Sequence, residues 1–174
     1  MSKNFGYLGA VALGAVALLG ATALPASAAA TGDTVATFTL AGGSLDITPG
    51  ANAALIDGAP GDASVSGSLD SVGVSDTRGS IAGWIITASS TTFSDGVGSA
   101  FTGVSYNSGS ATATTGFITA GSAGEVSIDN AVPVAEGTAA VGNNTASFTP
   151  TLTVTLPTMS LAGNYTGTVT TSIA

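Results

Sequence analysis

The sequence predicts an all-β fold, an antiparallel β-sandwich of Ig-like or jelly-roll-like kind, as a single domain behind a secretory signal peptide. Three observations predict it. Apolar residues alternate with Thr and Ser at period two in short runs, clusters of Gly, Pro, Asn and Asp separate those runs, and no capped run of 3.6-residue period follows the leader.

Residues 1–28 read as the signal peptide. Lys3 gives the positive n-region, Leu8 to Leu24 is an apolar stretch diluted by Gly and Ala, and Leu24-Pro25-Ala26-Ser27-Ala28 ends in the small-x-small pattern of a cleavage site. Cleavage is expected after Ala28, with Ala30 as second choice. The apolar stretch is at the short limit for a bilayer span and runs into a proline, so no membrane insertion is expected after cleavage. Residues 29–174 form the expected domain. No sortase signal or hydrophobic tail closes the chain, so attachment to a cell is expected to be non-covalent.

Candidate strands follow in order: Thr34–Leu40, Ser44–Thr48, Ala63–Val74, Gly83–Ser89, Phe101–Tyr106, Ala111–Ile118 and Glu125–Val134. The clearest is Thr149–Leu156, where Leu152, Val154 and Leu156 share one face and Pro157 ends the run. Tyr165–Ile173 alternates likewise, with Tyr165, Val169 and Ile173 inward, and pairs with it as a hairpin or joins it by a crossover between sheets. Gly142-Asn143-Asn144 reads as a turn, and the sequons at Asn143 and Asn164 as turn or strand-entry residues. Large hydrophobes are sparse, so the core is expected to use Phe38, Phe93, Phe101, Phe117, Phe148, Trp84 and two tyrosines beside Val, Ile and Leu.

Loss of Lys3 with the leader leaves one cation, Arg78, against ten acids, a charge of −9. That charge repels nucleic acid and anionic membrane surfaces. The chain has no His or Cys, and no Lys beyond the leader, which removes the usual general base, thiol nucleophile, Schiff-base amine and zinc ligands. Asp46, Asp57, Asp62 and Asp95 lie in Gly/Ser/Pro-rich turns and read as solvated turn carboxylates. No catalytic residue, cofactor site or metal site is expected, and the protein is read as no enzyme. The missing cysteines mean that the domain stands on its core without disulfides.

Arg78 and Trp84, the sole cation and sole tryptophan of the expected domain, fall in one run, Val74-Ser75-Asp76-Thr77-Arg78-Gly79-Ser80-Ile81-Ala82-Gly83-Trp84-Ile85-Ile86. In a strand Trp84 and Ile86 point to one face, and burying an indole removes about 150–250 Å² from water, roughly 4–6 kcal/mol as an upper bound. Neighbouring Ile81, Ile85 and Ile86 favour core over an exposed sugar-stacking ring. Asp76 and Arg78, two apart, share a face if extended and are read as an internal clamp in preference to a ligand hook. The second reading makes Arg78 and Trp84 wall-binding residues.

Val74-x-Asp76-x-Arg78-Gly79 followed by Gly83-Trp84-x-Ile86 resembles the first motif of the WxL-domain surface proteins of Gram-positive bacteria, with Ile86 in place of Leu. Tyr165-Thr166-Gly167-Thr168-Val169 is similar to the run into that family's second motif, where Thr171-Ser172-Ile173 stands in place of Trp-x-Leu. The resemblance implies structural roles for Asp76, Arg78, Gly79, Gly83, Trp84, Ile86 and Tyr165. It also implies a secreted β-rich protein held non-covalently at the cell wall, with peptidoglycan or other surface proteins as partners. The alternative expectation is a structural subunit that assembles into a surface fibre or layer by strand addition, favoured by flat Thr-rich strands with almost no Lys at their edges.

Overall fold

Period-two alternation becomes strand along much of the chain in a computed structural model, which describes residues 31–53 and 55–174. The leader and both expected cleavage sites lie outside the described residues. The chain divides into two units, Met1–Phe38 and Thr39–Ala174. Residues 31–38 of the first form no strand and are exposed.

The second unit is all-β, with no helix among the described residues. Its strands are β1 (Leu45–Thr48), β2 (Ser64–Ser68), β3 (Val72–Asp76), β4 (Trp84–Ser90), β5 (Phe93–Ser94), β6 (Ala100–Phe101), β7 (Val104–Asn107), β8 (Ala111–Ser122), β9 (Glu125–Ser127), β10 (Val132–Phe148), β11 (Thr151–Thr155) and β12 (Val169–Ile173). All pairings are antiparallel. One sheet runs β1-β3-β10-β4-β12, with β8 also along β10; the other runs β2-β11-β7-β9; β5 and β6 form a small ribbon.

The register of β10 explains the first sheet. Its C-terminal half pairs with β3, Asn144 opposite Asp76 and Phe148 opposite Val72. Its N-terminal half pairs with β4, Gly137 opposite Trp84 and Val132 opposite Ala88. Strand β8 follows β10 through both halves, so it holds one edge while β3 and β4 lie end to end along the other. Strands β1 and β12 add to the outer edges of β3 and β4 and approach each other, which bends the sheet toward a barrel. Between its halves β10 is irregular: register shifts fall at 138–145, Ala139 has φ 53° and Gly142 φ 70°.

Alternation puts Val72 and Val74 of β3, Trp84, Ile86 and Ala88 of β4, and Ala146 and Phe148 of β10 inward. All of these but Val72 meet Val104 and Tyr106 of β7 and Leu152 and Val154 of β11 in one core between the sheets. Trp84 meets Phe148 edge-on, with ring centroids 6.2 Å apart and planes at 88°.

Several expectations are corrected. Thr34–Leu40 forms no strand, so Phe38 has no sheet face on which to be buried. Phe117 is 67% exposed: it stands opposite Val141 in the irregular middle of β10, where the bulges turn it outward. Ile81 and Ile85 are exposed, and of the three isoleucines near Trp84 only Ile86 is core. Ala63–Val74 is two strands rather than one. Gly142-Asn143-Asn144 lies inside β10: the turn chemistry kinks the strand without ending it. Strands β11 and β12 belong to different sheets, so the connection between them is a crossover and not a hairpin.

Candidate functional site

The run from Asp76 to Trp84 is the junction between β3 and β4. The alternation that buries Val72 and Val74 carries Asp76 inward as well, leaving a carboxylate 1% exposed at the end of β3. A buried carboxylate requires partners. Asp76 Oδ1 accepts from the Arg78 backbone N–H at 3.0 Å and from Arg78 Nε at 2.9 Å, and Oδ2 accepts from Arg78 Nη2 at 2.9 Å. This is a two-pronged guanidinium–carboxylate pair, geometry that a lysine cannot reproduce. Asn144, directly across the ladder, donates from Nδ2 to Oδ2 at 3.4 Å.

Arg78 also closes the loop. Its Nη2 donates to the Gly83 carbonyl at 2.9 Å, so one guanidinium ties the end of β3 to the start of β4. Ser80 O accepts from Gly142 N–H at 2.9 Å and holds the loop against the kink of β10. Both glycines of the motif are accounted for. Gly79 has φ 64°, a left-handed backbone that disfavours side chains. A Cβ on Gly83 would lie 2.3 Å from the Gly137 carbonyl oxygen, so the two backbones touch there.

Trp84 is 2% exposed. Its Nε1 donates to Asn144 Oδ1 at 3.2 Å, and its ring lies over Gly137, where a Cβ would fall 2.3 Å from Cε2 and 2.6 Å from Cζ2. Asn144 thus receives the indole proton with its oxygen and gives its amide protons to Asp76 and to the Gly142 carbonyl. The chain Arg78–Asp76–Asn144–Trp84 is a satisfied polar network under the sheet. The Arg78 side chain, by its hydrogen bonds above all, holds the Asp76 carboxyl below the usual carboxylate range against the opposing effect of burial, and Asp76 raises Arg78 in turn.

Of the residues singled out in the sequence, the structure gathers Asp76, Arg78, Gly79, Gly83 and Trp84 here, and Ile86 continues the same buried face. Tyr165 stands elsewhere. Its ring packs on Phe101 with centroids 4.4 Å apart, and its hydroxyl donates to the Leu161 carbonyl at 2.9 Å. The Gly167 of its Tyr-x-Gly run lies against the Phe93 ring, where a Cβ would come within 2.6 Å. As a wall-contacting residue Trp84 is corrected by its burial, because its ring presents no face to a sugar; Arg78, 28% exposed, keeps one side toward solvent.

Sequence reasoning missed Asn144 and Gly137. Asn144 reads as turn, and Gly137 falls between the candidate strand ending at Val134 and that turn. The available signal was pairwise: a buried Asp and a buried indole N–H each require a partner, and Asn supplies donor and acceptor together.

These features define an antiparallel β-sandwich whose first sheet is joined across a break by a network of part-exposed Arg78 with buried Asp76, Asn144 and Trp84. The chain matches no family model, no curated protein and no solved structure.

Proposed function

We propose that this chain is a secreted, non-enzymatic surface module of WxL-like type that associates non-covalently with the bacterial cell wall, through peptidoglycan or another surface protein. One observation carries the reading: the spaced residues resembling the WxL first motif are those that hold the junction of β3 and β4 together. Every position of Asp76-x-Arg78-Gly79 and Gly83-Trp84 has a physical reason to be that residue type. The secretory leader and the charge of −9 left by its removal support an extracellular location and argue against nucleic acid as a partner. In this reading the motif maintains the fold, and the wall is met by the exposed surface.

The test is co-sedimentation of the purified domain with isolated peptidoglycan. Binding is expected for wild type. Trp84→Phe is expected to bind in proportion to its folded fraction. No co-sedimentation of the folded wild type refutes the proposal.

A second reading, self-assembly by strand addition, is favoured by β8. Its twelve residues carry no charge and no proline, and among the described residues it pairs only with β10, so its outer edge is unguarded.

A further inference from the structure

Beside the core lies an open groove of about 430 Å³. Its floor is apolar: Val65, Phe93, Phe101, Val154, Leu156 and Tyr165. One wall is the chain around 50–60, the other the chain around 160–169, and the groove continues along both past Leu69 and Val169. Each wall is hydrogen-bonded to neighbouring chain. Ile56 N–H donates to Ser66 O and Asp70 N–H to Asn52 O; across the groove, Thr91 N–H donates to Thr168 O, and Ser94 and Thr166 exchange N–H to carbonyl bonds. These bonds tie both walls to neighbouring chain, and exposed Ile56 and Leu161 add apolar side chains to the groove lining. This is the shape of a site for one extended strand.

The molecule also carries an unused strand. Thr34-Val35-Ala36-Thr37-Phe38-Thr39-Leu40 alternates as a strand does, with Ala36, Phe38 and Leu40 on one face, yet it pairs with nothing among the described residues. Val35, Phe38 and Leu40 are 87–89% exposed, the largest run of exposed apolar side chains in the described chain. The segment itself is uncharged, so it adds no repulsion of its own to the contact between two copies of an acidic chain.

We infer that the groove accepts residues 34–40 of a second copy, with Phe38 and Leu40 set on the Phe93–Phe101–Tyr165 floor and the backbone paired to a groove wall. The inference rests on the self-assembly reading and names its contact. A donor segment and an acceptor groove on each chain make the contact head-to-tail, so it generates chains of molecules rather than closed dimers.

The absence of cysteine makes the test clean. Full-length chain lacking only its leader is prepared as Thr37→Cys and, separately, as Gly163→Cys on the groove rim, and the two are mixed under mild oxidation. A cross-linked heterodimer is expected, in clear excess over that formed by Thr37→Cys with a control Val97→Cys. Light scattering of the wild type is expected to show mass rising with concentration. Phe38→Asp, outside the sandwich core, is expected to abolish both effects without changing the melting curve. A strictly monomeric wild type overturns this inference and the self-assembly reading together. Concentration-dependent oligomers that Phe38→Asp leaves intact, with no excess cross-link, overturn this inference alone and point to the β8 edge. Cross-linking within one chain carrying both cysteines, in a monomer, also overturns it.

Discussion

Replacing Gly137 by Ala adds one methyl group, and the structure says where it goes. The new Cβ falls 2.3 Å from Trp84 Cε2, 2.6 Å from Cζ2 and 2.7 Å from Cδ2. Ordinary carbon contacts are about 3.5–4.0 Å, so ring and strand must separate by more than ~1 Å. The backbone at Gly137 is not left-handed, so the cost is steric alone. Overpacking of this kind costs about 1–3 kcal/mol. The ring cannot move freely, because its Nε1 is held by Asn144 Oδ1 at 3.2 Å. A shift of that size breaks the bond and leaves a buried acceptor unsatisfied, a further ~1–3 kcal/mol. Gly137→Ala should therefore destabilise by roughly 2–5 kcal/mol. Urea unfolding followed by fluorescence measures it directly, since Trp84 is the only tryptophan and reports its own displacement as a red-shifted native emission. Trp84→Leu in the same chain, with unfolding followed by circular dichroism because that variant has no tryptophan, should cancel part of the Gly137→Ala cost, giving a coupling energy above ~1 kcal/mol. A Gly137→Ala protein within ~0.5 kcal/mol of wild type, with unshifted emission, would refute the packing argument.

Removing Arg78 strands the buried Asp76 carboxylate, and because Arg78 is part-exposed the loss should fall near 2–3 kcal/mol for Arg78→Ala in thermal melts at neutral pH. Asp76 has a lowered carboxyl pKa in the folded state, chiefly through the Arg78 side-chain hydrogen bonds, so its stabilisation is complete above the ordinary carboxylate value of about 3.9 and is lost as pH falls through the lowered one; Asp76→Asn should flatten that acid limb of the stability curve. At the other extreme, burial pushes the Tyr106 phenol up to about 12, so its contribution holds below about pH 10 and is lost between there and pH 12. Tyr106→Phe should remove that alkaline loss, as followed by circular dichroism, and an unchanged alkaline limb would mean that another group controls it. On the far side of the core, Gly167→Ala should cost about 1–3 kcal/mol by driving a Cβ into the Phe93 ring, readable as a lowered urea midpoint.

The fold class was legible because alternation survives wherever a strand has one dry face. Leu152 and Val154 in β11, and Trp84 and Ile86 in β4, could be assigned to one buried face from spacing alone. What could not be read was the longest strand. The stretch from Ala135 to Phe148 is mostly Ala, Gly, Asn and Thr because β10 is flanked along both edges and must pass beneath an indole at Gly137 and kink at Gly142. Close packing selected small residues, and small residues look like turns. Phe38 and Phe117 failed for the opposite reason: aromatic character predicts burial only if the backbone presents it to a core. At the site, the Asp76–Arg78 pair was visible as a spacing of two, whereas its completion by Asn144 depends on a ladder partner 68 positions away.

That separation also orders the events of folding. Asp76, Arg78 and Trp84 leave the ribosome long before Asn144 and Gly137, and neither β3 nor β4 has its inner ladder partner until β10 exists. Closing those loops is entropically costly and yields its return only when the whole register of β10 is in place. Refolding is therefore expected in the slow, millisecond-to-second regime of non-local β-proteins, with burial of the single tryptophan among the last steps. The residues that join the two strands cannot also be the ones that start the fold.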